Sequence, residues 1–254
     1  MKTNIHLIIL LVLSLCILGC KKKQTWVSLF NGENLDNWSV KIKGHPYGEN
    51  WNDTFLVQDG VIKVDYTHYE KFDNKFGHLF YKTPFSDYKL KLKYRFLGEQ
   101  LEDGEAWAKK NSGVMIHSED PELMGLDQDF PVSIEVQLLG GVNPDEPRST
   151  ANLCTPGTHV SINNELVTTH CIESNSDTFY GDQWVELEIE VRNDSLIKHF
   201  INGKKVMQYN NPVIGGDFNT LTQLEGSPLK KGFISLQSES HPIEFKDIWL
   251  MELK

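Results

Sequence analysis

Apolar and polar residues alternate with a period of two over several stretches of this chain. Leu90, Leu92, Tyr94 and Phe96 are interleaved with Lys89, Lys91, Lys93 and Arg95, and Val185, Leu187, Ile189 and Val191 with Glu186, Glu188 and Glu190. Val132, Ile134, Val136 and Leu138 alternate with Ser133, Glu135 and Gln137 in the same way. Successive side chains of a strand point to opposite faces, so each run predicts a strand with one face in a core and the other towards water. Asp59-Gly60 and Asn202-Gly203 predict tight hairpins, because both pairs tolerate the positive φ that such turns need. One short helical candidate stands out, Gly104 to Lys110. Many strands with no regular strand–helix–strand spacing predict an all-β, two-sheet sandwich.

Three connections are long: Ser118 to Pro131, Gly140 to Asn152, and Asn210 to Gly232. Loops of that length in a compact domain usually serve a purpose, and in a curved sandwich they would wall a groove on one sheet. The first residues follow another pattern. Lys2 precedes an apolar stretch, Ile8 to Leu13 and Leu15 to Leu18, that is too short for a membrane span and fits an export signal. Its end, Ile17-Leu18-Gly19-Cys20, resembles the bacterial lipobox. That likeness implies a signal peptide over 1–19, a lipid on Cys20 and a short linker over 20–25. With no repeat period, low-complexity segment or Pro/Gly/Ser-rich linker after it, residues 26–254 read as a single folded domain. Lys21, not aspartate, follows the cysteine, which favours an outer-membrane address, on the periplasmic side.

The formal net charge of −10 argues against binding nucleic acid through its phosphates. With Cys16 in the signal and Cys20 carrying the lipid, Cys154 and Cys171 remain, and two cysteines in an exported domain predict one disulfide.

Eight segments, in order, carry a family resemblance. The domain opens on Trp26 to Trp38, followed by Phe55 to Ile62, Gly77-His78-Leu79 and Lys91 to Arg95. Asn111-Ser112-Gly113-Val114 and Ile134-Glu135-Val136-Gln137 lie in the middle, and Ile234-Ser235-Leu236-Gln237 and Glu244 to Ile248 close the chain. Together they resemble the 3-keto-disaccharide hydrolase domain family, and Ser149 to His159 with Gly181 to Trp184 resemble one subgroup of it. The resemblance implies a concanavalin-like jelly-roll sandwich, activity on sugars oxidised at C3, and a sugar 3-oxidoreductase that supplies the keto group.

Glucanases of the concanavalin-like class carry Glu-x-Asp-x-x-Glu on one strand; here Gln137 replaces the aspartate and Leu139-Gly140 offers no second acid, so two-carboxylate glucanase chemistry is not expected. A 3-keto sugar needs less. The ketone acidifies the C2 proton, one base removes it, and the C1 substituent leaves by elimination, or by net hydrolysis if water then adds. Alternation turns Glu135 and Gln137 away from the core, Met115 and His117 likewise, and Gln237, Glu239 and His241 opposite Ile234 and Leu236. Glu135 is the first candidate for proton transfer, with His241 and His117 behind it. Arg95, Asn111, Gln137 and Gln237 would orient hydroxyls or the keto oxygen, and His159 would line the groove; Asn111 could equally hold its own turn. The sequence requires no cofactor, although a divalent metal would hold an enediolate well. The rival to the enzyme is a glycan-binding lipoprotein module without catalysis.

Overall fold

The alternating runs form strands, and their alternation decides what lies between two sheets. The computed structural model describes residues 24–254; the expected signal segment and the expected lipidation site at Cys20 lie outside the described residues. In the strand Asp87–Phe96, Tyr88, Leu90, Leu92, Tyr94 and Phe96 are buried. This strand sits near the middle of a ten-stranded antiparallel sheet, between Val185–Arg192 and Ile243–Glu252. The intervening lysines stand on the sheet's outer face, where Lys89 pairs with Glu188 at 2.8 Å and Lys93 with Asp247 at 3.0 Å.

A second sheet of seven strands packs against the first. Its order is Cys171–Ile172, Asn152–Cys154, Ile134–Leu139, Asn111–Ser118, Phe233–Ser238, Gly77–Tyr81 and Trp38–Ile42, with every neighbour antiparallel. Val114, Ile116, Ile134, Val136, Ile234 and Leu236 are fully buried and meet the apolar face of the larger sheet. Each such side chain contributes about 1.5–3 kcal/mol, which makes the register of these strands hard to slip. Both hairpins predicted from the sequence adopt the required backbone, with φ of 52° and 76° at Asp59-Gly60 and 48° and 80° at Asn202-Gly203.

Among the described residues, helix is limited to four three-residue 3-10 turns. The candidate over Gly104 to Lys110 shrinks to one of them, Ala106–Ala108, because it has no side-chain cap and the chain is drawn straight into the strand Asn111–Ser118.

The outer face of the seven-stranded sheet differs most from expectation. Alternation predicts it to be solvated, yet Phe80, Met115, Ser235 and Gln237 are fully buried there. Loop 118–131 lies over this half of the face. The Lys41 ammonium pins it by donating to the carbonyls of Ile42, His45 and Leu126 at 2.9–3.1 Å, and Phe130 packs on Phe76 at 4.9 Å between ring centroids. The other half of the face stays open as a cleft.

Candidate active site

Strand register collects the cleft floor. Glu135 is level with Cys154 on one side and Met115 on the other, Gln137 with Asn152 and Gly113, and Leu139 with Asn111. Residues opposite one another in antiparallel strands share a face, so Glu135, Gln137 and Asn111 all point into the same hollow. It encloses about 810 Å3. Trp107, Arg148, Phe130, Phe218 and the Cys154–Cys171 disulfide form its walls. The three long connections supply much of this wall: loop 118–131 brings Phe130, loop 140–152 brings Arg148, and the segment after the strand Lys204–Ile214 brings Phe218.

Glu135 is 7% exposed. Its side chain lies across Gly113, where a β-carbon would stand only 2.6 Å from the Glu135 Oε1. Burial disfavours the ionised form and pushes its carboxyl up to about 8. A second acid, Glu239, follows the strand Phe233–Ser238 and lines the same cleft at 3% exposure. Burial raises it well above the usual carboxylate range, the negative charge of Glu135 adds to the rise, and the Arg148 guanidinium opposes it. The Glu239 Oε2 has no protein partner.

Arg148 is held by backbone carbonyls. Its Nη1 donates to Lys109, Lys110 and Gly140, and its Nη2 to Trp107. A guanidinium has five N–H groups, so Nε and one Nη2 hydrogen remain for a ligand. A cation fixed in this way needs no reorganisation as negative charge develops beside it. Gln137 is also oriented: its Oε1 accepts from Asn152 at 3.1 Å, and Asn152 accepts in turn from Ser149 at 2.8 Å. The Gln137 amide nitrogen is therefore the group offered to the cleft. The Asn111 Oδ1 is buried without a protein partner, an acceptor left free on the cleft floor.

The structure separates other candidates from this site. Arg95 belongs to the larger sheet, where it pairs with Glu244 at 2.8 Å and stacks on Trp184 at 4.5 Å; its alternation is right, but its sheet is the other one. His117 has a φ of 51°, which breaks the alternation and carries its Nε2 to the Asn193 carbonyl at 3.1 Å. The positive φ of Ser240, 73°, does the same for His241. The imidazole of His241 packs on Phe96 at 5.7 Å, and burial, helped by Lys110, Lys109 and Arg148, lowers it to about 4. His159 lies on Thr158–Ile162, one strand in from the edge of the larger sheet, against Gly215 and Gly216. Gln237 is on the expected face but fully buried, with neither polar atom partnered.

Arg148, Trp107 and His170 were not singled out by sequence reasoning. Arg148 and His170 come from irregular segments and Trp107 from the three-residue turn Ala106–Ala108, where no period is long enough to point to a face. Glu239 is reachable, since the alternation that includes Gln237 arrives at it one step later. Among the described residues, no group of three or more His, Cys, Asp or Glu side chains is arranged to hold a metal ion.

The sequence profile described as the 3-keto-alpha-glucoside-1,2-lyase-like domain matches residues 25–251. No curated protein matches the chain. Two solved structures described as putative glycosyl hydrolases from Parabacteroides distasonis ATCC 8503 are similar in fold. The first has 17% identity and a TM-score of 0.55 and covers 90% of this chain and 94% of its own. The second has 18% identity and a TM-score of 0.53, covering 90% and 100%. The carbohydrate binding module CBM66 from Bacillus subtilis superposes with a TM-score of 0.50 at 8% identity, covering 85% of this chain and 96% of the module. The fold is thus a concanavalin-like jelly-roll sandwich shared with carbohydrate-directed proteins.

Proposed function

This chain belongs to the 3-keto-alpha-glucoside-1,2-lyase-like domain family, and from that premise we propose that it cleaves 3-keto glycosides with Glu135 as base and Glu239 as acid. Its function is directed at carbohydrate; the reaction is what we infer. The observation that carries it is a pair of buried carboxyls beside a carbonyl-anchored arginine in one cleft. Burial raises both carboxyls and the charge of one raises the other, so the pair gives up its protons in two steps and keeps one after the first. We take Glu135 as the group that ionises and Glu239 as the one that keeps the proton. Environments that push two carboxyls apart assign base and acid roles.

Glu135 takes the C2 proton, and the C2–H electrons pass into an enolate on the C3 oxygen, facing the free N–H groups of Arg148. The ketone then re-forms, a C1=C2 double bond appears, and the C1–O bond breaks. Glu239 gives its proton to the departing oxygen. The products are an unsaturated 3-keto sugar and a free alcohol, and water adding across the new double bond turns the outcome into net hydrolysis. Asn111 and Gln137 hold ring hydroxyls. A module that only held sugar would gain nothing from two carboxyls kept out of water, a costly arrangement.

The proposal extends to the chain's surroundings: export, a lipid on Cys20, a periplasmic outer-membrane position and an oxidoreductase that makes the 3-keto group. Cys20→Ala should stop fatty-acid incorporation. The reaction is tested by offering the protein a 3-keto glycoside and its unoxidised parent, following enone absorbance and released alcohol. Cleavage of the unoxidised sugar, or of neither, would overturn it.

A further inference from the structure

Beyond Phe130 and Phe218 the cleft does not end. The same two rings, with Asp129, also line a second hollow of about 530 Å3. They meet edge to face at 5.4 Å between centroids, so a ligand in the cleft reaches the second hollow by passing them.

Phe218 is held in a costly way. Its φ is +64°, in the left-handed region that bulky residues avoid, yet the residue is 46% exposed and gains little from burial. The surrounding turn over-determines this position: the amide of Gly157 donates to Asp217 O at 2.6 Å, and that of Leu221 to Asn219 Oδ1 at 2.9 Å. His170 packs on one side of the ring at 5.3 Å. Backbone strain spent on presenting an aromatic ring at the junction of two cavities points to a ligand that the ring touches.

Three of the polar residues lining the second hollow, Glu119, Gln128 and Asp129, are already engaged, and Asp127 and Thr220, both exposed, complete its polar lining. The Glu119 Oε1 accepts from Gln128 at 2.6 Å and from the Val132 amide at 2.7 Å. The Gln128 Oε1 accepts from the Gly125 amide at 3.0 Å, and Asp129 pairs with Lys43 at 2.5 Å. Apart from Asp127 and Thr220 the surface left over is apolar, with Phe130, Phe218, Leu221 and Leu123, the last 77% exposed. A second sugar would bring several hydroxyls here and find few free partners, at a cost for each that is desolvated. A planar apolar group would lose nothing and could stack on Phe218.

We propose that the second hollow is the leaving-group subsite and that it takes an apolar aromatic aglycone, making the substrate a 3-keto aryl glycoside. This rests on reading the first cleft as the 3-keto glycoside site. The occupant follows from continuity: the C1 substituent of a sugar seated over Glu135 has to leave the cleft, and the passage beyond Phe218 accommodates a ring.

The test has a catalytic arm and a binding arm. In the first, kcat/KM is compared for 4-nitrophenyl 3-keto-glucoside and a 3-keto disaccharide. The wild-type protein should favour the aryl substrate, and Phe218→Asn, which removes the ring but tolerates the left-handed backbone, should shrink that preference about tenfold. Leu221→Gln, which leaves the Phe218 backbone alone, should act in the same direction, and Phe218→Tyr should restore the preference. The second arm measures binding of 4-nitrophenol alone by calorimetry, which Phe218→Asn should weaken. Equal treatment of both substrates by the wild-type protein, or 4-nitrophenol binding unchanged in Phe218→Asn, overturns the subsite. If neither 3-keto substrate is cleaved, the catalytic reading fails, and the 4-nitrophenol arm still decides whether the aromatic subsite exists.

Discussion

The carboxyl group of Glu135 rests on the bare backbone of Gly113. A β-carbon at Gly113 would meet the Glu135 Oε1 at 2.6 Å and its Cγ at 2.8 Å. The two residues are on neighbouring strands but not level with each other, since Gly113 is paired with Gln137 and Glu135 with Met115. The glutamate therefore runs diagonally across the adjoining strand, and only glycine leaves it that path.

Gly113→Ala should consequently swing Glu135 out of its position while leaving the strand intact. The backbone at Gly113 has no positive φ, so alanine introduces no strain of its own. Turnover should fall about 10- to 100-fold, in keeping with a misplaced catalytic group, with the circular dichroism spectrum unchanged. Wild-type turnover in Gly113→Ala would show that the glutamate's path does not matter.

Glu135→Gln tests burial as well as chemistry. On the reading of an outward strand face, the substitution would leave stability untouched, but the residue is buried. In the unfolded chain the carboxyl ionises near 4.5, in the folded one near 8. Between these values the folded chain holds a proton that the unfolded chain has released, so stability falls as pH rises through that window. The group's favourable contribution is complete below about pH 4.5 and is lost towards pH 8. Glutamine has no such dependence. The variant should melt with the wild type at pH 4.5 and above it at pH 8, by roughly 5 °C, while turnover drops roughly 10²–10⁴-fold. Melting curves at three pH values decide this, and an offset that does not change with pH would refute it.

How far the sequence can be read follows from what alternation encodes. It reports which face of a strand a residue occupies, and it does so correctly for Leu90 to Phe96 and for Ile134 to Leu138. It says nothing about which sheet the strand joins, so Arg95 and Glu135 look equivalent although they stand on opposite sheets of the sandwich. It also assumes an unbroken strand. A single left-handed residue, His117 itself or Ser240 before His241, reverses the outcome. Arg148 and Phe218 come from loops, where position is set by tertiary bonds such as the four carbonyls around the guanidinium, and no local pattern announces them.

The Cys154–Cys171 disulfide joins two strands that pair level with Glu135. It closes a loop with a sequence separation of 17, for which chain entropy gives about 3 kcal/mol. The double variant Cys154→Ala/Cys171→Ala should melt roughly 10 °C lower. Dithiothreitol should lower the wild-type melting temperature by a similar amount and leave that of the variant unchanged. A variant as stable as the wild type would mean that the bridge does not hold this wall of the cleft.

The division of labour between the two carboxyls predicts the pH dependence of catalysis. Glu135 must be ionised to take the C2 proton, so kcat/KM should rise with pH along a limb centred near 8. Glu239 must be protonated to serve the leaving oxygen, and burial and the Glu135 charge keep it so to higher pH, which places a falling limb above the rising one. Both values belong to the interacting pair, so single variants are needed to assign them. In Glu239→Gln the falling limb should disappear and the rising limb persist, because the remaining carboxyl is still the base. The loss of rate should depend on the leaving group. An alkoxide is strongly basic and needs the proton, so a 3-keto disaccharide should lose roughly 10²-fold. A 4-nitrophenolate departs readily without one, so its glycoside should lose far less. If instead Glu239→Gln removes the rising limb, or slows both substrates equally, the roles are reversed and Glu239 is the base.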